Sequence, residues 1–234
     1  MIKFPLAKIV PNTIVVSFYS VLSIFFSSVS KKTIQKNKND NINCIKLNDN
    51  ELISDSFIEN QENLKNISFG SAKKSNLSYS GCGVIAAWNA LVSLSDKSFS
   101  LIDLISAFEK KGIVLKGKLG VSPTAIHKYF NRSGYKTGRI TSRNPEKIRR
   151  FGDSWDTFLV TFYWDKDDVF QKLHTVNISK NENKYYIHND YFKDEKGRYA
   201  QKGPYDSLDV AIESLGQNVA SLFITGISRK EDLG

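Results

Sequence analysis

The segment from Cys82 to Leu94 is apolar on nearly every side, and it limits the fold more than any other stretch of the chain. The four consecutive apolar residues Val84 to Ala87 point to all sides of the helix that this segment would form, and Trp88, Ala90, Leu91 and Leu94 continue the apolar run. A helix without a polar face has to be enclosed by other elements. The sequence therefore predicts a buried central helix that begins at Cys82.

Further helices are predicted after this one by their start signals. Ser100 with Asp103 three positions later resembles a capping box and opens a helix through Glu109. Proline suits the first helical position, so Ser122-Pro123 predicts a helix to about Arg132. Asn144-Pro145 in the same way starts a short helix.

Strand patterns follow in the second half of the chain. The predicted strands are Thr157–Trp164, then His174–Ser179 and Lys184–His188 as a hairpin about the turn Lys180–Asn183, and Asn218–Ile227 as the closing strand. Ser207 is expected to cap a last helix that ends near Gly216. Helices first and antiparallel strands second predict an α+β fold, with a helical lobe packed on an antiparallel sheet.

The N-terminus, residues 1–32, is a separate hydrophobic segment. Its 22 residues from Ile9 to Ser30 carry no charge and are long enough to cross a bilayer core, which needs roughly 20. A secretory signal peptide, with small residues Ser28 and Ser30 near the cleavage site, and an uncleaved membrane anchor are both open, and so is a buried core helix. We expect a secreted or membrane-anchored protein whose domain is extracytoplasmic.

Residues 33–69 are rich in Asn, Lys, Asp and Ser and predict a polar linker. Ile53, Phe57, Ile58 and Leu64 are the apolar residues there that favour a short helix against the main domain. The folded domain itself is expected over residues 70–230.

The formal net charge is +9, but the lysines are scattered among polar residues. Because they form no stripe with interleaved aromatic residues, we interpret them as a solvated basic surface and expect no nucleic-acid partner. Three separated histidines and two distant cysteines offer no metal-ligand spacing, so no metal or other cofactor is predicted. Two cysteines also argue against a disulfide framework.

Cys82 is the first candidate for chemistry. It lies at the predicted start of a helix, where free N–H groups and a partial positive charge favour thiolate. Gly81 and Gly83 on either side leave room for a substrate backbone. The alternative is an inert, buried thiol.

His174 is the second candidate, because it opens a strand just after the helical half of the domain. His127 lies in an amphipathic helix and is expected at the surface. The predicted hairpin returns the chain beside His174 at Asn189 and Asp190, either of which could accept from the imidazole and fix its tautomer.

The order and spacing of these residues resemble papain-like cysteine peptidases. The resemblance is strongest to the bacterial branch that includes bacteriocin-leader-processing (double-glycine) peptidases. Its motifs are similar to GCGVIAAWNAL at 81–91, HTVNIS at 174–179 and YYIHND at 185–190. The likeness covers residues 76–227.

The resemblance implies a role for each matching residue. Cys82 would be the nucleophile, His174 the general base and acid, and Asp190 the orienting residue, with Asn189 in its place otherwise. The family carries a Gln six residues before the cysteine, where this chain has Asn76, so Asn76 would be a shorter oxyanion-hole donor.

The implied activity is hydrolysis of a peptide or protein substrate through an acyl-enzyme. Acyl or peptidyl transfer on the same fold, a non-catalytic peptide-binding domain and a surface-anchored structural protein stay open.

Overall fold

A computed structural model describes residues 14, 17, 18, 20–22, 29–47, 56–73, 75–163, 173–216 and 220–229. Its centre is a six-stranded sheet in the order β1-β6-β2-β3-β4-β5, with every neighbouring pair antiparallel. The strands are β1 (Lys136–Ile140), β2 (Thr157–Tyr163), β3 (Leu173–Asn181), β4 (Lys184–His188), β5 (Lys202–Tyr205) and β6 (Ala220–Ser228).

Seven helices with assigned bounds surround the sheet in the described part of the chain. They are α1 (Lys31–Leu47), α2 (Leu77–Ser80), α3 (Cys82–Ser93), α4 (Leu101–Lys110), α5 (Pro123–Arg132), α6 (Pro145–Asp153) and α7 (Leu208–Glu213), and two short 3₁₀ helices cover Gln61–Leu64 and Leu115–Gly117. Helices combined with an antiparallel sheet confirm the predicted α+β class.

Two hydrophobic cores lie on the two faces of the sheet. Because side chains alternate along a strand, β2 contributes Leu159 to one core and Phe158 to the other. The first core lies under the helical lobe, and the second lies under α6 and α7. Helix α3 packs against β3 and β2 at the centre of the first core, as its all-round apolar surface predicts.

The predicted helix starts are confirmed. The hydroxyl of Ser100 accepts from the Asp103 backbone N–H at 3.1 Å, which is the first bond of a capping box, and it donates to the Asp103 carboxylate at 2.7 Å. Pro123 and Pro145 stand at the first position of their helices. The hairpin is also present, since β3 and β4 pair with Ile178 opposite Ile187.

Helix α1 occupies part of the segment for which the sequence predicts a polar linker. It is 17 residues long and packs against α4. Asn41 is fully buried, and its amide donates to the Ser68 carbonyl at 3.0 Å and accepts from the Ser68 N–H at 2.8 Å. Asn37 donates to the Gly70 carbonyl and to Glu109 Oε1. Buried amides that find such partners dock the helix although its composition is polar.

The short helix that the sequence predicts near residue 58 differs from the local structure that is observed there. Phe57 and Ile58 precede a 3₁₀ helix instead of lying in an α-helix, and Leu64 ends it, while Ile53 lies outside the described residues.

Most of the hydrophobic N-terminal segment, and Trp164 of the predicted strand, lie outside the described residues. Within the described ranges, no helix has both the length and the hydropathy that crossing a bilayer requires. Signal peptide and membrane anchor therefore stay predictions.

Candidate active site

Cys82 is the first residue of α3 and is partly exposed. Its Sγ lies 3.9 Å from the carbonyl oxygen of Leu173, within the range of a weak S–H···O hydrogen bond. That carbonyl belongs to the peptide bond between Leu173 and His174. The thiol therefore lies at the first residues of β3, beside the backbone of His174.

The glycines that flank Cys82 allow other parts of the protein to pack closely against the start of α3. A Cβ on Gly81 would lie 2.4 Å from the Leu77 carbonyl oxygen. A Cβ on Gly83 would lie 3.2 Å from Cβ of Val121 and 3.1 Å from Cδ1 of Ile126. The close approach that the sequence predicted for a substrate is thus taken by α2 and by the helical lobe, and both glycines allow α3 to pack tightly at its start.

His174 is the second residue of β3 and is only 4 % exposed. Its Nε2 lies 3.0 Å from the backbone carbonyl oxygen of Asn189. Because a carbonyl oxygen can only accept, Nε2 carries the proton. In the neutral ring the lone pair is then on Nδ1, so Nδ1 is the basic nitrogen.

Burial sets the charge of this ring. Desolvation lowers the pKa of His174 from 6.5 to about 4, and the hydrogen bond to the Asn189 carbonyl opposes that shift only in part. At neutral pH the imidazole is therefore uncharged. A neutral ring is able to take up a proton from a thiol, which an imidazolium is not.

Tyr191 lies close to both candidate residues. Its ring is stacked on that of His174, with centroids 5.6 Å apart and 28° between the planes. Burial, and after it the negative charge of a Cys82 thiolate, raise the pKa of the Tyr191 phenol to about 12. Cys82 and His174 therefore both lie near the Tyr191 side chain.

Asn189 contacts His174 through its backbone and not through the side chain that the sequence pointed to. Its Oδ1 accepts from the Gln61 N–H at 3.2 Å, and its Nδ2 donates to Gln61 Oε1 at 3.0 Å. Asp190 Oδ1 accepts from the Phe192 N–H at 3.0 Å, and burial raises the pKa of Asp190 although Lys202 Nζ lies 3.8 Å away. An orienting role of the Asp190 carboxylate stays a prediction.

Asn76 is the N-cap of α2, the short helix that leads through Gly81 to Cys82. Its Oδ1 accepts from the Tyr79 backbone N–H at 2.8 Å. This bond leaves the amide Nδ2 as the donor that an oxyanion hole would use. The contact fixes the side chain just ahead of the nucleophile candidate, and the oxyanion role itself stays a prediction.

Sequence reasoning missed a buried chain of polar residues next to the site. His188 is fully buried, its Nδ1 lies 2.6 Å from Glu59 Oε1, and its Nε2 lies 2.8 Å from Ser179 Oγ. The order resembles a Ser-His-acid triad, but burial of His188 and Ser179 bars a substrate from it. Glu59 precedes His188 by 129 positions, so no local pattern could have indicated the pair.

His127, which the sequence placed at the surface, is half-buried on α5. Desolvation, and after it the positive charges of Arg139 and Lys128, lower its pKa. Across the described part of the chain, no three His, Cys, Asp or Glu side chains are grouped so that they could hold a metal ion.

No family model matches the chain, and no curated protein matches it. Among solved structures, the chain is similar to the crystal structure of a candidate C39-like peptidase from Bacillus anthracis. The two chains share 12 % identity, the match covers 64 % of this chain and 90 % of the other, and the TM-score is 0.39. The roles of Cys82 and His174 therefore rest on the geometry of the site itself.

Proposed function

We propose that this chain is a cysteine peptidase in which Cys82 is the nucleophile and His174 the general base. One observation carries the proposal. Cys82 Sγ lies against the Leu173–His174 peptide, while the imidazole is held by Nε2 so that Nδ1 keeps its lone pair. A thiol at a helix start and an uncharged, oriented imidazole are the two groups that thiol-based acyl transfer needs.

The reaction follows from these groups. As Sγ attacks the carbonyl carbon of the substrate peptide bond, Nδ1 of His174 takes the thiol proton and the carbonyl oxygen becomes an oxyanion. The backbone N–H of Cys82 and the amide of Asn76 are the donors proposed for that oxyanion, each worth roughly 3 kcal/mol in such sites. His174 then gives its proton to the departing amine, and a thioester remains on Cys82.

Water completes the cycle. It attacks the thioester carbon, transfers a proton to Nδ1 of His174, and releases the carboxylic acid as the C–S bond breaks. The proton returns to sulfur, so the enzyme regains its starting state. The partial positive charge at the start of α3, a helix of 12 residues, favours each state in which sulfur bears negative charge.

Replacing Cys82 tests this proposal. We expect Cys82→Ala to lower peptide hydrolysis at least about a thousandfold, because no other group supplies the covalent step. The assay is mass spectrometry of products released from a mixture of unmodified peptides. Cys44→Ala is the matched control, since Cys44 is also a partly buried cysteine outside any disulfide, and this variant should keep the wild-type rate. Hydrolysis by Cys82→Ala at the wild-type rate would end the proposal.

Transfer of the acyl group to an amine is a second candidate function, which the burial of the site favours. His174 is 4 % exposed and has the Tyr191 ring stacked on it, which restricts the approach of water to the base. Adding hydroxylamine to the same assay separates the two functions. Hydroxamate formed at the expense of acid would favour a transferase, and an unchanged yield of acid would favour a hydrolase.

A further inference from the structure

The segment of residues 56–61, here called the bridging segment, is attached at its start to the helix that begins with Cys82. Asn89 of α3 is fully buried, accepts from the Ile58 N–H at 2.8 Å and donates to the Ile58 carbonyl at 3.0 Å. The indole N–H of Trp88, also on α3, donates to the Ser56 carbonyl at 3.1 Å. These bonds fix the bridging segment relative to α3.

The far end of the bridging segment holds Asn189. Glu59 Oε2 accepts from the Asn189 N–H at 3.0 Å, while Gln61 pairs with both side-chain atoms of Asn189. The remaining polar group of Asn189 is the carbonyl that accepts from His174. All four polar groups of Asn189 are therefore bonded, three of them to the bridging segment.

The backbone of Asn189 has an uncommon conformation. Its φ is 62°, in the left-handed region, which asparagine adopts more readily than other residues with a side chain. Tyr191, two residues later, has the same φ of 62°, so this loop contains two residues in the left-handed region. A carbonyl in a loop of this kind keeps one direction only if neighbouring groups hold it.

Gln61 also reaches the other side of the site. It is 4 % exposed, and its Nε2 donates to the Ser78 carbonyl of α2 at 2.7 Å, four residues before Cys82. One side chain thus contacts both the residue that holds His174 and the helix that leads to the thiol. Movement of either side relative to the other would break one of these bonds.

We infer that Glu59 and Gln61 are positioning residues, which hold the Asn189 carbonyl where it keeps the His174 proton on Nε2 and the lone pair of the neutral ring on Nδ1. For its effect on hydrolysis the inference rests on the proposed function. The orientation of His174 itself is measurable without substrate, so the two stand or fall separately.

Replacing Glu59 by glutamine tests the positioning role with a small chemical change. Two N–H donors face its carboxylate, one from His188 and one from Asn189. In Glu59→Gln only one oxygen is left to accept. The new NH₂ group faces either the Asn189 N–H, which cannot accept, or His188 Nδ1, which accepts only after its proton has moved to Nε2. The matched control is Glu62→Gln, the same change on an exposed residue of the adjoining 3₁₀ helix. Gln61→Met is a second variant, since it removes both polar side-chain atoms at nearly constant volume.

The test is the ¹⁵N spectrum of the histidine rings in the full-length chain, with the three signals assigned by single His→Gln replacements. Wild type and Glu62→Gln should show His174 with its proton on Nε2. In Glu59→Gln and Gln61→Met, a second tautomer with the proton on Nδ1 should appear, and alkylation of Cys82 by iodoacetamide at pH 7 should slow about tenfold. Peptide-resolved mass spectrometry separates Cys82 from Cys44.

Two results would overturn the inference. One is a folded Glu59→Gln or Gln61→Met variant whose His174 tautomer and Cys82 alkylation rate match the wild type. The other is loss of folding in both variants at 25 °C, which would make the bridging segment a folding determinant and not a positioning element. An unaltered wild-type tautomer without any peptide hydrolysis would reject the proposed function and leave this inference standing.

Discussion

Replacing His174 by glutamine is expected to lower kcat/KM for peptide hydrolysis by about a thousandfold or more. A positioned general base contributes typically 10²–10⁴-fold, and here one ring both receives the thiol proton and protonates the leaving amine. Glutamine keeps a polar group of similar reach toward the Asn189 carbonyl, which accepts from His174 Nε2 at 3.0 Å. The loss should therefore fall on proton transfer and not on packing.

The measurement is steady-state kinetics on a peptide that the wild type cleaves, with circular dichroism to show that the variant is folded. His127→Gln is the matched control, because it makes the same change on α5 and should leave kcat/KM near the wild-type value. A His174→Gln enzyme within tenfold of the wild type would remove the imidazole from the mechanism.

The second large effect is on stability in acid. The free energy of unfolding of the wild type should fall by roughly 3 kcal/mol more than that of His174→Gln as the pH is lowered from 6.5 to 4. The folded-state pKa of His174 is lowered to about 4, chiefly by burial, against 6.5 for the free side chain. Between these values the unfolded chain binds a proton that the folded chain does not, so acid favours unfolding. The contribution is fully present above pH 6.5 and is lost as the pH falls through that window.

Urea unfolding at four pH values between 7.5 and 4 measures this difference. Burial also shifts the pKa of other groups: it raises the pKa of Glu109 and of Asp190, and it lowers the pKa of His127. They are common to both proteins, so the difference between wild type and His174→Gln isolates His174. Parallel stability curves for the two proteins would show that the imidazole is not buried as described.

The elements with a clear hydrophobic pattern could be predicted from the sequence. A run that is apolar on all sides predicts α3, and two β-branched runs about a polar turn predict the hairpin of β3 and β4. These patterns indicate which side chains are buried, and the burial of those side chains stabilises the elements in the fold. They were sufficient to place Cys82 at a helix start and His174 on a strand.

The two strands that the sequence did not reveal are the two edges of the sheet, β1 and β5. β1 shows no alternation of buried and exposed residues, and β5 contains Gly203 and Pro204. An edge strand has one neighbour, and proline is tolerated there because one row of N–H groups needs no partner in the ladder. Register with the partner strand, and not local preference, defines both strands.

The contacts that hold the site could not be predicted for a different reason. His174 is oriented by a backbone carbonyl, which every residue has, so a search for a suitable side chain at Asn189 or Asp190 could not find it. Glu59 and Gln61 lie in a stretch whose polar composition indicates a linker. Their partners are about 130 positions away in the chain, and only the folded structure brings them together.

The most direct test of the central claim, that His174 activates the Cys82 thiol, is the rate of iodoacetamide alkylation of each cysteine in wild type and His174→Gln at pH 7. Cys44 serves as an internal control within the same molecule. If the imidazole accepts the thiol proton, Cys82 should react at least about tenfold faster in the wild type, while Cys44 reacts equally in both. Equal rates for Cys82 in the two proteins would contradict the account.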